Sequence, residues 1–95
     1  MNKRDAYIEK AQAKIEEYNA RLDVLKAKAK GEIASQKITA NEQIDKLDEK
    51  LNAAKKQLAK LTDSAGDAWE EFSGRFEELA DDLGASIKKF IDRHR

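Results

Sequence analysis

The chain of 95 residues contains no cysteine, no proline and one histidine. Without cysteine it forms no disulfide and has no thiol for catalysis or metal binding, and its redox compartment leaves no mark on the sequence. Without proline, no residue obliges a helix to stop. The one histidine, His94, lies beside the last residue, where helices fray, and no partner for metal binding or proton transfer accompanies it. We interpret His94 as a bystander.

Motifs of enzyme and metal sites are missing as well. No glycine-rich phosphate loop and no Ser/His/Asp or Cys/His set occurs. The acidic doublets at 70–71, 77–78 and 81–82 lack the Glu-x-x-His partners of helical di-iron sites and the spacing of a calcium loop, so we interpret them as a solvated helix face. The sequence therefore predicts a non-enzyme with no catalytic residue, no metal site and no cofactor.

The chain also lacks long apolar runs and an excess of charge of either sign. Its longest strictly apolar run is Ala6-Tyr7-Ile8, which is too short for a transmembrane helix or for the roughly 7–15 apolar residues of a signal peptide. We therefore expect a soluble cytoplasmic protein. The 19 basic and 19 acidic residues cancel, so no overall basic character points to nucleic acid as a partner.

What the chain does have is a strip of apolar residues that recurs at alternating steps of three and four, nearly unbroken from Ile8 to Phe72. Such spacing places apolar side chains on one face of a helix, and 40% of all residues are charged. The sequence therefore predicts an all-α fold of coiled-coil type. We predict that an oligomer interface is formed by the larger residues of the strip: Ile8, Ile15, Tyr18, Leu22, Leu25, Ile33, Ile44, Leu47, Leu51, Leu58 and Leu61.

Within this strip we predict one long helix over about residues 2–61, on the order of 90 Å in length at 1.5 Å per residue. Gly31 lies off the strip, and glycine costs about 1 kcal/mol inside a helix. It is followed by residues that are compatible with a helix, whereas a turn usually shows several turn residues together. A turn near residues 31–41, with the chain folding back, is the alternative.

A break between helices is predicted at residues 62–66. Three capping residues precede Gly66 there, and Ser64 with Asp67 resembles a capping box. The strip keeps its phase across this junction, which leaves an uninterrupted helix as the alternative. From residue 65 to residue 93 the apolar arc widens to roughly 140°, which predicts an amphipathic second helix. Its predicted apolar face includes Trp69, Phe72, Phe76, Leu79, Leu83, Ile87 and Phe90.

Charge is segregated along the chain. Residues 1–62 carry a net charge of +4, residues 63–82 a net charge of −7 and residues 83–95 a net charge of +3. Several pairs four residues apart have the same sign, Lys46 and Lys50 among them. The segregation favours a basic first helix that lies against the acidic second one. A solvated charged face without a role in pairing is the alternative.

Length limits how the second helix can cover the first. Folded back, its roughly 29 residues would cover about residues 33–61 and leave the strip from Ile8 to Ala29 bare. A bare strip requires another chain, so we predict a dimer or a larger helical bundle. Trp69 and Phe72 directly follow the junction, and we expect them to be the most buried aromatic side chains and the main anchor of the second helix.

The segment Ser64-Ala65-Gly66-Asp67-Ala68-Trp69-Glu70-Glu71-Phe72 follows a stretch rich in lysine, alanine and leucine. In this it resembles small bacterial coiled-coil proteins of uncharacterised function, which share a Gly-Asp-Ala-Trp-Glu junction followed by an amphipathic aromatic helix. The resemblance covers about the last two thirds of the chain, and Ala80 stands where relatives often carry a second tryptophan. It implies a bacterial, soluble, helical accessory protein and no activity, cofactor or substrate.

These observations predict a non-enzymatic, self-associating coiled-coil protein with a structural or adaptor role. Its expected partners are a second copy of itself, another helical protein or a membrane surface, and not nucleic acid. The alternative is a peripheral protein that binds lipid or another hydrophobic surface through its second helix, assisted by Lys88, Lys89, Arg93 and Arg95. The number and direction of the strands stay open, as does whether the second helix folds back, pairs between chains or binds lipid.

Overall fold

Three α-helices make up the computed structural model, which describes residues 3–64, 66 and 68–93. Helix α1 spans Lys3–Lys30, α2 spans Ala34–Asp63 and α3 spans Ala68–Arg93, and no strand occurs among the described residues. The predicted all-α class is confirmed. Each helix contacts the other two, and the resulting antiparallel bundle measures 51 × 20 × 18 Å.

One apolar core runs through the bundle and receives residues from all three helices. On α1 the buried positions follow each other at steps of four and three, which is the period that keeps side chains on one helix face. The largest fully buried side chains are Leu22 of α1, Leu61 of α2, and Leu83 and Ile87 of α3. Alanines at the helix contacts are equally buried, with Ala54 at 0% and Ala40 at 1% exposure. Small side chains at these places allow the helix backbones to approach closely.

The predicted continuous helix over residues 2–61 is wrong, because α1 ends at Lys30 and the chain reverses within Gly31–Ile33. The N–H of Gly31 donates to the Lys28 carbonyl at 3.1 Å, and Ile33 takes an extended conformation with φ −67° and ψ 157°. The alternative prediction of a turn near residues 31–41 is closer to the structure, although only residues 31–33 of that range lie outside the helices. Local helix preference was outweighed by the apolar surface that α1 buries after the reversal.

The junction between α2 and α3 lies where the sequence predicts it, but the bounds of the helices and the capping contacts differ from the prediction. Helix α2 continues through Asp63, and Ser64 closes it by donating its hydroxyl to the Leu61 carbonyl at 2.8 Å rather than by capping α3. Gly66 has a φ of +61°, in the left-handed region that glycine adopts without steric cost. Helix α3 begins at Ala68 instead of residue 65. Asp67, the other half of the predicted capping box, lies outside the described residues, as does His94.

Most of the predicted interface residues are covered by their own chain. Eight are buried in the core: Ile15, Tyr18, Leu22, Leu25, Ile44, Leu47, Leu51 and Leu61. Ile8 and Leu58 are half-buried, whereas Ile33 is 65% exposed. The expectation that the strip from Ile8 to Ala29 stays bare is wrong, since α1 packs against both α2 and α3. The argument for a second chain that rested on a bare strip is thereby removed, and self-association itself stays a prediction.

Burial of the aromatic side chains differs from the expectation. Trp69 and Phe72 are half-buried, whereas Phe76 is 3% exposed and Phe90 is 6% exposed. Trp69 lies in the first turn of α3, beside the α2–α3 junction, where its ring contacts Arg4 and Tyr7 of α1 and stays partly exposed. Phe76 lies two turns farther along α3 and belongs to the core to which all three helices contribute.

Helix α3 should therefore depend more on Phe76 than on Trp69. Phe76→Ala is expected to lower the free energy of unfolding by about 3–5 kcal/mol, the range for an aromatic side chain removed from a core. Trp69→Ala is expected to cost less, because part of that ring already contacts water. Urea denaturation followed by far-ultraviolet circular dichroism measures both variants without needing the tryptophan signal. A larger loss for Trp69→Ala would contradict this account.

Gly84 forms a notch in α3 for the ring of Tyr18 on α1. A Cβ atom at position 84 would lie 2.7 Å from Tyr18 Oη and 3.3 Å from Cζ, which is closer than such atoms pack. Gly74, in the same helix, has no atom within 4 Å of the corresponding position. Glycine at position 84 therefore lets α1 and α3 approach closely. At position 74 there is room for a Cβ atom, so glycine is not required there.

The two glycines form a matched pair for mutation. Gly84→Ala should destabilise the fold by about 1–3 kcal/mol through overpacking, while Gly74→Ala should stabilise it by about 0.5–1 kcal/mol through helix propensity. Adding Tyr18→Phe to Gly84→Ala removes the 2.7 Å contact and should recover part of the loss. Thermal denaturation of the four chains tests the notch. Equal effects of the two alanines would show that Tyr18 does not constrain position 84.

Candidate functional site: a basic groove between two helices

A groove of about 230 Å³ runs between α2 and α3 near the C-terminal end of α3. Its lining residues recur at three- and four-residue steps on each helix, so that one strip of α2 faces one strip of α3. The strip of α2 consists of Gln43, Lys46, Leu47 and Lys50, and the strip of α3 consists of Ser86, Lys89, Phe90 and Arg93. Antiparallel packing brings together residues that are more than thirty positions apart in the sequence.

The groove combines an apolar floor with a basic rim. Leu47 and Phe90 are buried and belong to the core, while Lys46, Lys89 and Arg93 are exposed along the edges. The lining includes four basic side chains and no acidic one. Long basic side chains pack their methylene groups on apolar surface and keep their charge in water. The arrangement therefore offers positive charge on both sides of an apolar surface.

Lys50 ties the two walls of the groove together. Its Nζ donates to Ser86 Oγ at 2.8 Å and lies 3.0 Å from Asp82 Oδ2. Both partners of the ion pair are exposed to solvent, so the pair contributes little to stability. Within the part of the chain that the structure describes, no ion pair engages Lys46, Lys89 or Arg93.

Three further grooves of the bundle do not share this charge pattern. Each combines basic with acidic side chains, which neutralises it locally. The pairs are Lys14 with Glu77 between α1 and α3, Lys28 with Glu32 beside the α1–α2 turn, and Lys55 with Asp63 between α1 and α2. Among these four grooves the α2–α3 groove alone has charge of a single sign, and we take it as the candidate site.

Polar contacts at the opposite end of the bundle have a structural role. The Arg4 guanidinium donates to the carbonyls of Thr62 and Ser64 at the C-terminal end of α2, where the last carbonyls of a helix have no partner within it. A cation at this end is also favoured by the helix dipole. Arg4 lies over the Trp69 ring, 5.2 Å from its centre, and the Tyr7 ring meets Trp69 edge to face at 5.4 Å. These contacts fasten the start of α1 to the α2–α3 junction.

Tyr7 extends this cluster to α3. Its hydroxyl lies 3.2 Å from the Ser73 carbonyl and 3.1 Å from Glu77 Oε1. Partial burial, together with the hydrogen bond and the negative charge of Glu77, raises the pKa of Tyr7 from 10.0 to about 12. The raised pKa keeps the phenol neutral and able to donate, which suits a contact that holds helices together.

Charge segregation contributes to helix pairing at few places. Lys50 with Asp82 is the one ion pair between the basic segment and the acidic part of α3 among the described residues. The other interhelical pair, Lys26 with Asp48 at 3.1 Å, joins α1 to α2. Because these side chains are exposed, the apolar core, rather than charge, carries most of the contact.

The predicted apolar face of α3 is directed into the bundle. Phe76, Leu83, Ile87 and Phe90 are buried, and Trp69, Phe72 and Leu79 are half-buried. Of these seven residues only Phe90 reaches the groove. The basic groove itself was not predicted. Its sequence signal consists of two pairs of like charge four residues apart, Lys46 with Lys50 and Lys89 with Arg93, and a pair of this kind also occurs on solvated faces.

Residues 3–64, 66 and 68–93 contain no group of three or more side chains that could hold a metal ion. None of the helices they form is both long and apolar enough to cross a membrane. Comparison of the chain with protein-family models, curated protein sequences and solved structures gives no match. The resemblance to small bacterial coiled-coil proteins accordingly stays a prediction.

The pKa of Tyr7 makes stability depend on pH in a definite direction. Since the folded state holds the Tyr7 proton more tightly than the unfolded state, this contribution is complete below about pH 10 and is lost as the pH rises toward about 12. Tyr7→Phe should therefore make the decline of the unfolding free energy between about pH 9 and about pH 12 less steep than in the parent. Urea denaturation across this range measures it, with Tyr18→Phe as the control. Parallel declines in parent and Tyr7→Phe would contradict the assignment.

Proposed function

We propose that the protein is a non-enzymatic structural or adaptor protein that binds an acidic, amphipathic helical segment of a partner protein in the α2–α3 groove. The observation that carries this proposal is the basic rim over an apolar floor. Lys46 and Lys89 stand on opposite edges of the groove, with Leu47 and Phe90 between them. Such a surface fits a ligand that has negative charge on both sides of an apolar stripe.

The dimensions of the groove favour a helix as the ligand. The α2 strip from Gln43 to Lys50 covers about two helical turns, or roughly 10 Å. On an approaching helix, side chains three and four positions apart are about 5–6 Å from one another. Carboxylates at such positions can reach the exposed cations of both walls while a leucine between them packs on Phe90. This is the recognition mode in which an amphipathic helix lies in a groove between helices.

The described geometry gives less support to the alternative function, lipid binding through α3. The large apolar side chains of α3, Phe76, Leu83, Ile87 and Phe90, already pack against α1 and α2. Binding to a bilayer through this face therefore requires α3 to leave the bundle, which would expose the core of the other two helices to water. Groove binding requires no such opening.

Charge reversal in the groove tests the proposal. The probe is a fluorescently labelled synthetic helix with glutamates three and four positions apart on both sides of a leucine stripe. Lys46→Glu and Lys89→Glu should each weaken its binding by about tenfold, since each removes one attraction and adds one repulsion. Lys56→Glu, an equally exposed position of α2 outside the grooves, is the matched control and should change little. Fluorescence anisotropy gives the dissociation constants.

Salt and vesicles separate the alternatives. Binding to the groove should weaken as salt shortens the range of the charges. Equal losses for Lys56→Glu and Lys89→Glu would mean that only net charge matters, and groove binding would be rejected. Lipid binding through α3 replaces the proposal under two conditions. The unmutated chain floats with phosphatidylglycerol vesicles but does not bind the peptide, and the amides of α3 lose their protection from hydrogen exchange in the vesicle-bound chain.

A further inference from the structure

The α1–α2 turn is built without residues that require a turn. Gly31 does not use the left-handed conformation, since the positive-φ glycine of the described residues is Gly66. A Cβ atom at Gly31 would meet only the Lys28 carbonyl oxygen at 3.5 Å, an ordinary contact. Ile33 occupies the N-cap of α2 with a side chain that offers no oxygen to the free N–H groups. Each residue of the turn is thus compatible with a helix.

A continuous helix would satisfy backbone groups that the turn leaves open. The last four carbonyls of α1 and the first four N–H groups of α2 have no partners within their own helices. The turn supplies bonds from Gly31 N–H to Lys28 and from Glu32 N–H to Ala29, at 3.1 and 3.2 Å. If Gly31–Ile33 became helical, the carbonyls of α1 would accept from the N–H groups of the turn and of α2.

Ile33 gives a second reason to consider the continuous form. It is 65% exposed in the bundle, yet it lies on the sequence strip that links Ala29 to Ala40 and Ile44. In a continuous helix it would stand on the same face as the residues that α1 and α2 bury. The strip is therefore patterned for one helix through the turn, although the chain folds back there.

We infer that the protein also forms a domain-swapped dimer with a second copy of itself, in which α1 and α2 join into one helix through Gly31–Ile33. Straightening the turn removes α1 from its own α2 and α3 and exposes its core strip. The α1 of a second chain covers the α2–α3 surface in the same way, and the exchange is mutual. Every contact of α1 in the single chain is then formed between chains, around a two-fold axis near the former turn.

The swapped dimer keeps the groove of each half. Helices α2 and α3 belong to one chain and stay joined, so Lys46 and Lys89 face each other as in the single chain. The dimer presents two grooves along a shared helix pair, whose length is on the order of 90 Å. Swapping does not depend on what the groove binds, and either proposal can fail without the other.

Two substitutions in the turn shift the equilibrium in opposite directions. Ala34→Pro suits the bundle, because Ala34 is the first residue of α2 and Ile33 already has the extended conformation of a residue before proline. In a continuous helix the same proline removes a hydrogen bond and clashes, so the dimer should weaken by more than about 1,000-fold. Gly31→Ala should lower the dissociation constant of the dimer about 30-fold. Alanine has a higher helix propensity than glycine, and each of the two chains contributes this gain.

Sedimentation equilibrium on chains refolded at millimolar concentration measures both effects. The expected order of dimer affinity is Gly31→Ala above the parent and the parent above Ala34→Pro, while Lys56→Glu, at an exposed position of α2, leaves it unchanged. If the parent and Gly31→Ala are both monomers at this concentration, the inference is overturned. It is also overturned if Ala34→Pro dimerises as well as the parent, because association would then use another surface.

Cross-linking identifies which helices are exchanged. Lys26 of α1 and Asp48 of α2 lie 3.1 Å apart at their charged atoms, and the chain has no natural cysteine to interfere. Lys26→Cys and Asp48→Cys chains are refolded as a mixture and treated with a short bis-maleimide. A swapped dimer gives a covalent heterodimer between the two chains. Dimers in which this product is missing would contradict exchange of α1.

Discussion

The structure depends on burying the apolar strip of α1. Tyr18, Leu22 and Leu25 are each at most 6% exposed, and burial of a side chain of this size contributes about 1.5–3 kcal/mol. Breaking a helix for three residues leaves a few backbone groups without helical partners, and water hydrates them at the surface at a cost of about 0.5–1.5 kcal/mol each. Burial exceeds this cost, which explains why a sequence without turn signals at Gly31 nevertheless folds back.

The two connections of the bundle are stabilised in different ways. At the α2–α3 junction, Gly66 adopts a conformation that suits glycine, Ser64 closes α2, and Arg4 occupies the free carbonyls. The α1–α2 turn has an isoleucine at the N-cap and no acidic residue in the first turn of α2. Gly66 and Ser64 therefore define the α2–α3 junction locally, whereas the place of the α1–α2 turn depends mainly on the packing of α1 against α2 and α3.

The sequence predicts which face of each helix is buried but not what covers it. Steps of three and four indicate an apolar strip, but the same strip suits packing within a chain and packing between chains. For this reason the sequence alone predicts an oligomer interface for the strip around Leu22. The large ring of Trp69 favours burial. How far it is buried depends on its place along the bundle, which the sequence does not give. The groove depends on α2 and α3 lying side by side, because Lys46 and Lys89 are distant in the sequence and each alone resembles a solvated lysine.

Two local conflicts between sequence and fold lie at the surfaces that we propose for association. Lys46 with Lys50, and Lys89 with Arg93, place like charges four residues apart, which costs a few tenths of a kcal/mol for each pair. Among the described residues, Asp82 forms an ion pair with Lys50 and with none of the other three basic side chains. The second conflict is Ile33, a large apolar side chain in water at a position that favours serine or aspartate. Sequences usually agree with their fold at every level, and departures tend to mark functional places. A bound acidic helix would neutralise the first conflict, and exchange of α1 would bury the second.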